Sequence, residues 1–347
     1  MQKKNILITG VSSGIGYSIA ETMIQNGYFV FGTVRKVEDA ESLKMKLGNG
    51  FYPLIVDITD YKSIECAVEV VKDVISENGL TALINNSGIV VSGPLKHINS
   101  NDFEYQFRVN VFGLLKMTQA LLPLLGGDLS TNIKAGKIIN INSVSGLLTL
   151  PFIVPYSASK YAVESLTDGL RRELAIYGIS VTSIHPGAVK TPIWQKEKDK
   201  INSFHDTDYE MFEAYSKHQI ALAEKDGIDA LVIAKTVNDI VEGRKRKPGY
   251  ILMKHDFAFR IMLMLPKTLQ DNIVMKMMYA KTKISLSDEL KRGWFIVSNI
   301  IPPIGFYLYF RHRKQYPNKA QSALKGAIIG IPVGIVMKYI FDNFIFS

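Results

Sequence analysis

Tyr156 and Lys160 are four positions apart and have side chains suited to proton transfer. In a helical segment this spacing puts both side chains on one face. A free tyrosine has a pKa near ~10, too high for an efficient base at neutral pH, and a neighbouring ammonium lowers that pKa by stabilising the phenolate. The pair therefore predicts an acid/base site, although such pairs also occur on ordinary helix surfaces.

Two further polar residues precede this pair at positions where a polar side chain needs a reason. Ser143 follows the apolar run Lys137–Ile141 by two residues, so its hydroxyl could hold a substrate oxygen. Asn110 interrupts an apolar helical pattern over Asp102–Leu125. We expect Asn110 to anchor a water molecule in a proton relay.

A glycine-rich turn near the N-terminus joins the first strand pattern to the first helix pattern. Its candidate binding residues are Thr9, Gly10, Ser12, Ser13, Gly14, Ile15 and Gly16. Glycines allow a tight turn, and they let backbone N–H groups and the helix dipole approach a pyrophosphate. An ordinary surface turn is the alternative, but the place of the turn in the first βα unit favours a dinucleotide site.

The end of the second predicted strand, Thr33–Lys36, carries basic residues and no acid. In dinucleotide-binding folds this tip lies beside the adenosine ribose, where an acidic residue would bond a free 2′-hydroxyl. Arg35 suits a 2′-phosphate instead. The sequence therefore favours NADP(H) over NAD(H), with a solvated arginine at a strand end as the alternative.

Strand and helix patterns alternate over the first 190 residues and would position these groups. The predicted strands are apolar runs, as expected for strands buried on both faces: Ile6–Ile8, Tyr28–Thr33, Tyr52–Val56, Ala82–Ile84, Lys137–Ile141 and Ser180–Ile184. The predicted helices between them are Gly16–Asn26, Val37–Leu47, Ser63–Glu77, Asp102–Leu125 and Tyr156–Tyr177. This alternation predicts an α/β fold with a Rossmann-type, doubly wound parallel sheet.

The order of these motifs resembles the short-chain dehydrogenase/reductase family over residues 5–255. Beyond the glycine turn and Arg35, the positions that match its cofactor site are Asp57, Asn86, Gly88, Pro186, Gly187 and Thr191. Ser87 stands where the family motif has alanine, a small change that we expect to be tolerated. The resemblance implies that these positions, together with Tyr156 and Lys160, contact the cofactor.

The family's catalytic tetrad maps onto Asn110, Ser143, Tyr156 and Lys160. By resemblance, Tyr156 exchanges a proton with the substrate oxygen, which Ser143 polarises, while Lys160 tunes Tyr156. Asn110 supports the relay to solvent, and a hydride moves between the nicotinamide and the carbinol carbon. The tetrad predicts an oxidoreductase that acts on CH–OH groups. A non-catalytic dinucleotide-binding scaffold at the membrane is the alternative, but such a protein would not need Tyr156.

Val30–Arg35 and Ser143–Ile193 look like the branch that contains retinol and 17β-hydroxysteroid dehydrogenases. That branch implies a hydrophobic lipid-, retinoid- or steroid-like alcohol or ketone, and a homo-oligomer is expected from the family resemblance alone. Thr191–Tyr215 should form a lid over the substrate. The candidate lining residues, some of which would be core residues in the alternative, are Ile193, Trp194, Phe204, Met211 and Phe212.

Charge is distributed unevenly along the 347 residues. Residues 1–240 hold 23 Lys and Arg against 26 Asp and Glu, a net charge of −3, and residues 241–347 hold 18 against 6, a net charge of +12. Nucleic acid and an anionic membrane both suit a basic segment, but its apolar neighbours favour the membrane. The six histidines lack metal-ligand spacing, so no metal is predicted, and the one cysteine, Cys66, is expected to be buried.

The C-terminal part predicts a second region, so we divide the chain into a catalytic domain, 1–285, and a hydrophobic, basic helical segment, 286–347. Trp294–Phe310 has no charged residue and is followed by the cluster Arg311–Lys314; Gly326–Met337 is a second uncharged stretch. A spanning first stretch would put Arg311–Lys314 outside, against the positive-inside rule. We therefore expect a shallow hairpin on the cytosolic leaflet. A helical pair packed on the enzyme, or an oligomer contact, is the alternative.

The N-terminus predicts where the catalytic domain resides. The first apolar run, Asn5–Thr9, is too short for the apolar region of a secretory signal peptide. One cysteine cannot form an internal disulfide, which is compatible with a reducing compartment. Together these features predict a membrane-associated protein whose catalytic domain is cytoplasmic.

Overall fold

A computed structural model of the chain describes residues 4–191, 209, 211–279, 324–328 and 330–331. The chain forms two compact units, Met1–Thr282 and Lys283–Ser347. In the second unit, residues 324–328 and 330–331 are helical. The stretch Trp294–Phe310 and most of Gly326–Met337 lie outside the described residues, so the boundary after residue 285 stays a prediction. None of the described helices combines the length and the apolar character that crossing a bilayer requires.

Seven parallel strands form the sheet of the first unit, in the order β3-β2-β1-β4-β5-β6-β7. The strands are β1 (Asn5–Ile8), β2 (Phe29–Val34), β3 (Phe51–Ile55), β4 (Ala82–Asn85), β5 (Lys137–Ile141), β6 (Ser180–Pro186) and β7 (Gly249–Leu252). The order reverses beside β1, as in doubly wound folds, and ligands bind there at the carboxyl ends of the strands. The predicted fold class is confirmed.

Helices cover both faces of this sheet. They are α1 (Gly14–Gln25), α2 (Val37–Leu47), α3 (Tyr61–Ile75), α4 (Ser100–Phe107), α5 (Leu114–Leu121), α6 (Val154–Glu173), α7 (Met211–Asp226), α8 (Ala230–Val241), α9 (Asp256–Met264) and α10 (Lys267–Tyr279). Strand residues alternate between the two cores: Ile6 and Ile8 pack with α1 and α8, and Leu7 packs with α3 and α5. This alternation is why the strands are apolar on both sides.

The structure corrects two details of the sequence prediction. The helix predicted over Asp102–Leu125 is divided into α4, a π-helical segment Arg108–Gly113, α5 and a 3₁₀ turn Pro123–Leu125. Cys66 is exposed rather than buried, because the buried stripe of α3 runs through neighbouring positions on another side of the helix. Asn110 lies within the π-helical segment, a feature that often marks a functional site.

Candidate active site

The turn between β1 and α1 depends on its glycines, because a side chain at these positions would meet neighbouring protein atoms. Gly10 and Gly14 have φ values of +72° and +60°, a left-handed conformation that favours glycine. A Cβ on Gly16 would lie 2.2 Å from the carbonyl oxygen of Gly10. Among the described atoms, the N-cap residue Ser13 makes no side-chain bond to α1, and Ile15 packs against the core. The first N–H groups of α1 therefore lack a side-chain cap, as an anion site requires.

Thr9 and Asn86 tie this turn to the end of β4. The Thr9 hydroxyl oxygen accepts hydrogen bonds from the N–H groups of Asn86 and Ser87, both at 2.9 Å. The Asn86 amide donates to the carbonyl oxygens of Thr9 and Gly10, also at 2.9 Å. Thr9 and Asn86 thus shape the turn, whereas Ser12 is exposed on it.

Arg35 lies exposed just past β2, within electrostatic range of the Asp57 carboxylate. Desolvation raises the pKa of Asp57. Two hydrogen bonds lower it, from the N–H and the hydroxyl of Thr59 at 2.8 Å each, and so do the charges of Arg35 and Arg108. The net pKa of Asp57 is lowered, so the carboxylate is charged at neutral pH. Arg108 lies in the π-helical segment, and no sequence pattern had marked it as a second cation at this corner.

The catalytic candidates meet at the start of α6. Ser143 lies near the Tyr156 phenol and acts to lower its pKa. The Lys160 ammonium nitrogen lies 5.7 Å from the centroid of the Tyr156 ring and donates to the Ile141 carbonyl oxygen at 3.0 Å. The prediction that Ser143, Tyr156 and Lys160 form one cluster agrees with this geometry.

Burial controls the charges of this cluster. It raises the pKa of Tyr156, although Ser143 opposes the rise, and it lowers the pKa of Lys160 to about 8. Burial outweighs the other effects on Tyr156, and the Lys160 ammonium donates to the Ile141 carbonyl, so the tuning of Tyr156 by Lys160 stays a prediction. A raised pKa keeps the phenol protonated at neutral pH, which suits a proton donor.

Asn110 fixes the loop after β4 to helix α6. Its Oδ1 accepts a hydrogen bond from the Ile89 N–H at 2.9 Å, and its Nδ2 donates to the Ile89 carbonyl at 3.0 Å and to the Ser159 hydroxyl at 3.1 Å. Gly88 adjoins this side chain, since a Cβ there would lie 3.4 Å from the Asn110 Oδ1. Both amide hydrogens of Asn110 are thus engaged, and its role in a water relay stays a prediction.

The segment after β6 closes back on the glycine turn. Pro186 ends β6, and the N–H of Gly187 donates to the Leu252 carbonyl oxygen at 2.9 Å. The Thr191 methyl carbon lies 3.2 Å from where a Cβ of Gly14 would be. The structure therefore brings Thr191, predicted to contact the nicotinamide amide, against the turn predicted to hold the pyrophosphate.

An aromatic cluster joins the loop that precedes α6 to helix α7. Phe152 has a φ of +67°, which is rare for a residue with a side chain, and its carbonyl accepts a hydrogen bond from Gly93 at 2.7 Å. Its ring lies 5.2 Å from Phe212 and 5.5 Å from Tyr215. Phe212 is fully buried, so the core alternative describes it better than a lining role.

The other lid candidates remain untested predictions. Ile193, Trp194 and Phe204 lie outside the described residues, as does the side chain of Met211. Sequence reasoning missed Phe152, because no glycine signals its left-handed backbone. Over the described residues, no group of three or more His, Cys, Asp or Glu is arranged to hold a metal ion.

The chain belongs to the short-chain dehydrogenase family: the family model described as short chain dehydrogenase matches residues 4–202. The parallel sheet, the glycine turn and the cluster at Tyr156 are what this family assignment predicts. The chain is therefore a short-chain dehydrogenase/reductase enzyme, as the motifs indicated.

Three known proteins show how far the similarity extends. NADPH-dependent 3-dehydrocapnine reductase of Ornithobacterium rhinotracheale is 40% identical over 271 residues, which cover 78% of this chain and 95% of that protein. Retinol dehydrogenase 16 of Mus musculus is 34% identical over 194 residues, covering 56% and 59%. The solved structure of ElxO with NADP bound is 26% identical with a TM-score of 0.59, covering 72% of this chain and 96% of that one. The predicted family is confirmed.

Proposed function

We propose that this enzyme uses NADPH to reduce a ketone in a hydrophobic, lipid-like molecule to an alcohol, with Tyr156 as the proton donor. The observation that carries the proposal is the cluster itself: Tyr156 is half-buried at the start of α6, the Lys160 ammonium lies 5.7 Å from its ring, and burial raises its pKa. A phenol that stays protonated can give its proton to a carbonyl oxygen as that oxygen gains negative charge. The similarity to an NADPH-dependent reductase supports reduction as the direction.

The residues on both sides of Tyr156 would hold the dinucleotide. The glycine turn offers the uncapped N–H groups of α1 to a pyrophosphate, and Arg35 offers a guanidinium for the 2′-phosphate of NADPH. The similarity to an NADPH-dependent reductase and to ElxO with NADP bound supports NADP(H) over NAD(H). When bound, the nicotinamide supplies the hydride. Lys160 orients the ribose, and Ser143 holds the substrate oxygen.

The substrate is proposed to be apolar because the similar proteins include a retinol dehydrogenase and a 3-dehydrocapnine reductase. A hydrophobic pocket gains on the order of 0.8 kcal/mol for each buried methylene group. We therefore expect kcat/KM to rise with the length of the alkyl chain.

The proposed membrane association is supported by α9. Phe257, Ile261 and Met264 are 67%, 43% and 85% exposed, and their spacing puts them on one stripe of the helix. Arg260 and Lys267 are exposed nearby, and residues 241–347 carry a net charge of +12. An apolar stripe with basic neighbours suits the anionic cytoplasmic leaflet of a membrane. The catalytic domain would then be cytoplasmic and take its substrate from the bilayer.

A homo-oligomer is proposed on family grounds. Phe112, in the π-helical segment, and Tyr161, on α6, are 49% and 38% exposed and would be covered by a second copy. Light scattering of the purified protein would measure the mass directly. A monomer would contradict this part of the proposal and leave the chemistry unaffected.

The decisive experiment is NADPH oxidation by the full chain against ketones of increasing alkyl length, with NADH in parallel and Tyr156→Phe as the variant. We expect turnover that rises with chain length and falls by about 10³-fold in Tyr156→Phe. Binding of NADPH should be nearly unchanged in the variant. Tight NADPH binding with no turnover on any ketone would instead favour a dinucleotide-binding scaffold.

A further inference from the structure

Glu164 lies beneath the catalytic serine, although no step of the proposed reaction uses it. It is on α6, one helical turn beyond Lys160, and its side chain is 28% exposed. One oxygen, Oε2, accepts hydrogen bonds from the Asn142 amide at 2.9 Å and from the Ser183 hydroxyl at 2.8 Å. A partly buried carboxylate with these donors is held in one place.

His185 completes the arrangement from β6. Its side chain is 4% exposed, and its Nε2 lies 3.4 Å from the same Glu164 oxygen. Its other ring nitrogen, Nδ1, lies 3.3 Å from the backbone carbonyl oxygen of Ser143. Both ring nitrogens therefore face oxygen acceptors, and the doubly protonated ring is the form that donates to both.

We infer that Glu164 and His185 form a positioning pair that fixes the backbone of Ser143 and so aims its hydroxyl at Tyr156. The inference rests on the proposed reductase function. Glu164 orients the ring of His185. His185 adds a contact at 3.3 Å to the Ser143 carbonyl oxygen, which also accepts a hydrogen bond from the Gly146 N–H at 2.9 Å. The Ser143 hydroxyl already accepts a hydrogen bond from the Ser145 N–H at 3.1 Å, so holding the carbonyl leaves the serine little freedom.

The electrostatics of Glu164 agree with this role. Desolvation raises the pKa of its carboxyl group, but the hydrogen bond and charge of His185 and the hydrogen bonds from Ser183 and Asn142 together bring that pKa below its usual value. A charged carboxylate opposite the ring is a strong acceptor for a hydrogen bond from Nε2. Such a carboxylate–histidine pair orients the ring and chooses which nitrogens donate.

Two substitutions at residue 185 separate the two contacts. The amide nitrogen of asparagine stands close to where Nδ1 of histidine stands, and that of glutamine close to where Nε2 stands. His185→Asn can therefore keep the donor to the Ser143 carbonyl, whereas His185→Gln keeps only the contact with Glu164. We expect kcat to fall about tenfold in His185→Gln and about threefold or less in His185→Asn, with KM for NADPH unchanged in both.

The same variants in a Ser143→Ala background test whether the pair acts through the serine. Because the pair has nothing to aim once the hydroxyl is gone, His185→Gln should then change kcat by less than about twofold. Glu164→Gln, which keeps an acceptor oxygen but no charge, provides a second variant if His185→Gln folds poorly. Equal losses in His185→Asn and His185→Gln, or a full loss that persists without Ser143, would overturn the inference.

A spectroscopic test separates this inference from the proposed function. In ¹⁵N-labelled protein at mildly acidic pH, His185 should show hydrogen-bonded protons on both ring nitrogens, and Glu164→Gln should remove at least one. That result supports the pair even if no ketone is reduced. A single protonated nitrogen, unchanged in Glu164→Gln, would overturn the pair whatever the activity.

Discussion

The tetrad region and helix α9 both follow the carboxyl ends of sheet strands, but they differ in burial and polarity. Tyr156 begins α6 beyond the carboxyl end of β5, and α9 begins four residues beyond the carboxyl end of β7. Asn110, Ser143 and Lys160 are buried, with polar atoms bound to backbone or side-chain partners, whereas α9 buries none of its residues. A polar cluster held in place by hydrogen bonds suits catalysis, whereas a helix with exposed apolar residues suits contact with a lipid bilayer.

The two regions should also differ in how well they tolerate substitutions. A change in the tetrad region must disturb several hydrogen bonds at once, because residues such as Asn86 and Asn110 each make at least two side-chain hydrogen bonds to the backbone. A change on α9 removes only exposed surface. We therefore expect substitutions at the closely packed cofactor turn to have larger effects on catalysis than substitutions on α9.

The largest effect on NADPH binding is expected from Gly16→Ala. The added Cβ would lie 2.2 Å from the Gly10 carbonyl oxygen and 2.5 Å from the Asn86 amide, so the turn must change shape. Calorimetric titration should show NADPH binding weakened by more than about 100-fold, which corresponds to about 2.7 kcal/mol. Gly169→Ala on α6 is the matched control: nothing lies within 4 Å of its Cβ, and it should stabilise the protein slightly. Equal NADPH affinity in both variants would mean that the turn is not the binding site.

The next effect concerns the adenosine end. Arg35→Ala should raise KM for NADPH by about thirtyfold, because a guanidinium–phosphate pair contributes about 2 kcal/mol. KM for NADH should change by less than about twofold, since NADH lacks the 2′-phosphate. A loss shared equally by the two cofactors would assign Arg35 a structural role instead.

The pH dependence should report Lys160. Burial lowers its pKa to about 8 from an ordinary 10.5, so the ammonium loses its proton as the pH rises through about 8. If the charge is needed, kcat/KM for NADPH falls by about tenfold per pH unit above that value.

Stability should move in the opposite direction over the same range. The folded-state pKa of Lys160 lies below its unfolded-state value, so the unfolded chain binds more protons between them and the free energy of unfolding rises with pH in that window. Lys160→Met, which cannot titrate, should lose this rise. If its unfolding profile matches that of the wild type, the buried ammonium is not the cause.

The smallest effect on catalysis is expected from α9. Replacing Phe257, Ile261 and Met264 together by serine should lower binding to vesicles that contain anionic lipid by about fivefold or more, because apolar area is removed. Turnover of a short soluble ketone should stay the same. Met45→Ser on α2, where Met45 is 81% exposed, is the matched control. Unchanged vesicle binding in the triple variant would contradict the proposed lipid contact.

The sequence was sufficient for the parts of this enzyme that follow local rules. Buried strands show as apolar runs, and the glycine turn shows as glycines at a strand-to-helix junction, so the sheet and the turn were predicted within a few residues. Tyr156 and Lys160 were found because a spacing of four puts two side chains on one helical face.

The remaining features depend on contacts between segments that are far apart in the sequence, or on backbone conformations that no sequence pattern indicates. The π-helical segment at Asn110 has no visible period, and the left-handed Phe152 lacks the glycine that usually marks such a backbone. Glu164 and His185 are twenty-one positions apart and meet only because α6 packs against β6. The rise that burial causes in the pKa of Tyr156 could not be read from the sequence, because burial is a property of the folded chain.

The most direct test of the proposed reaction is to follow the hydride itself. NADPH carrying deuterium at the transferred position of the nicotinamide would be incubated with the enzyme and a long-chain ketone, and the product analysed by mass spectrometry and NMR. The proposed function predicts one deuterium on the new carbinol carbon, with the hydroxyl proton coming from solvent through Tyr156. An alcohol without deuterium, or NADPH that stays bound and unoxidised with every ketone, would contradict it.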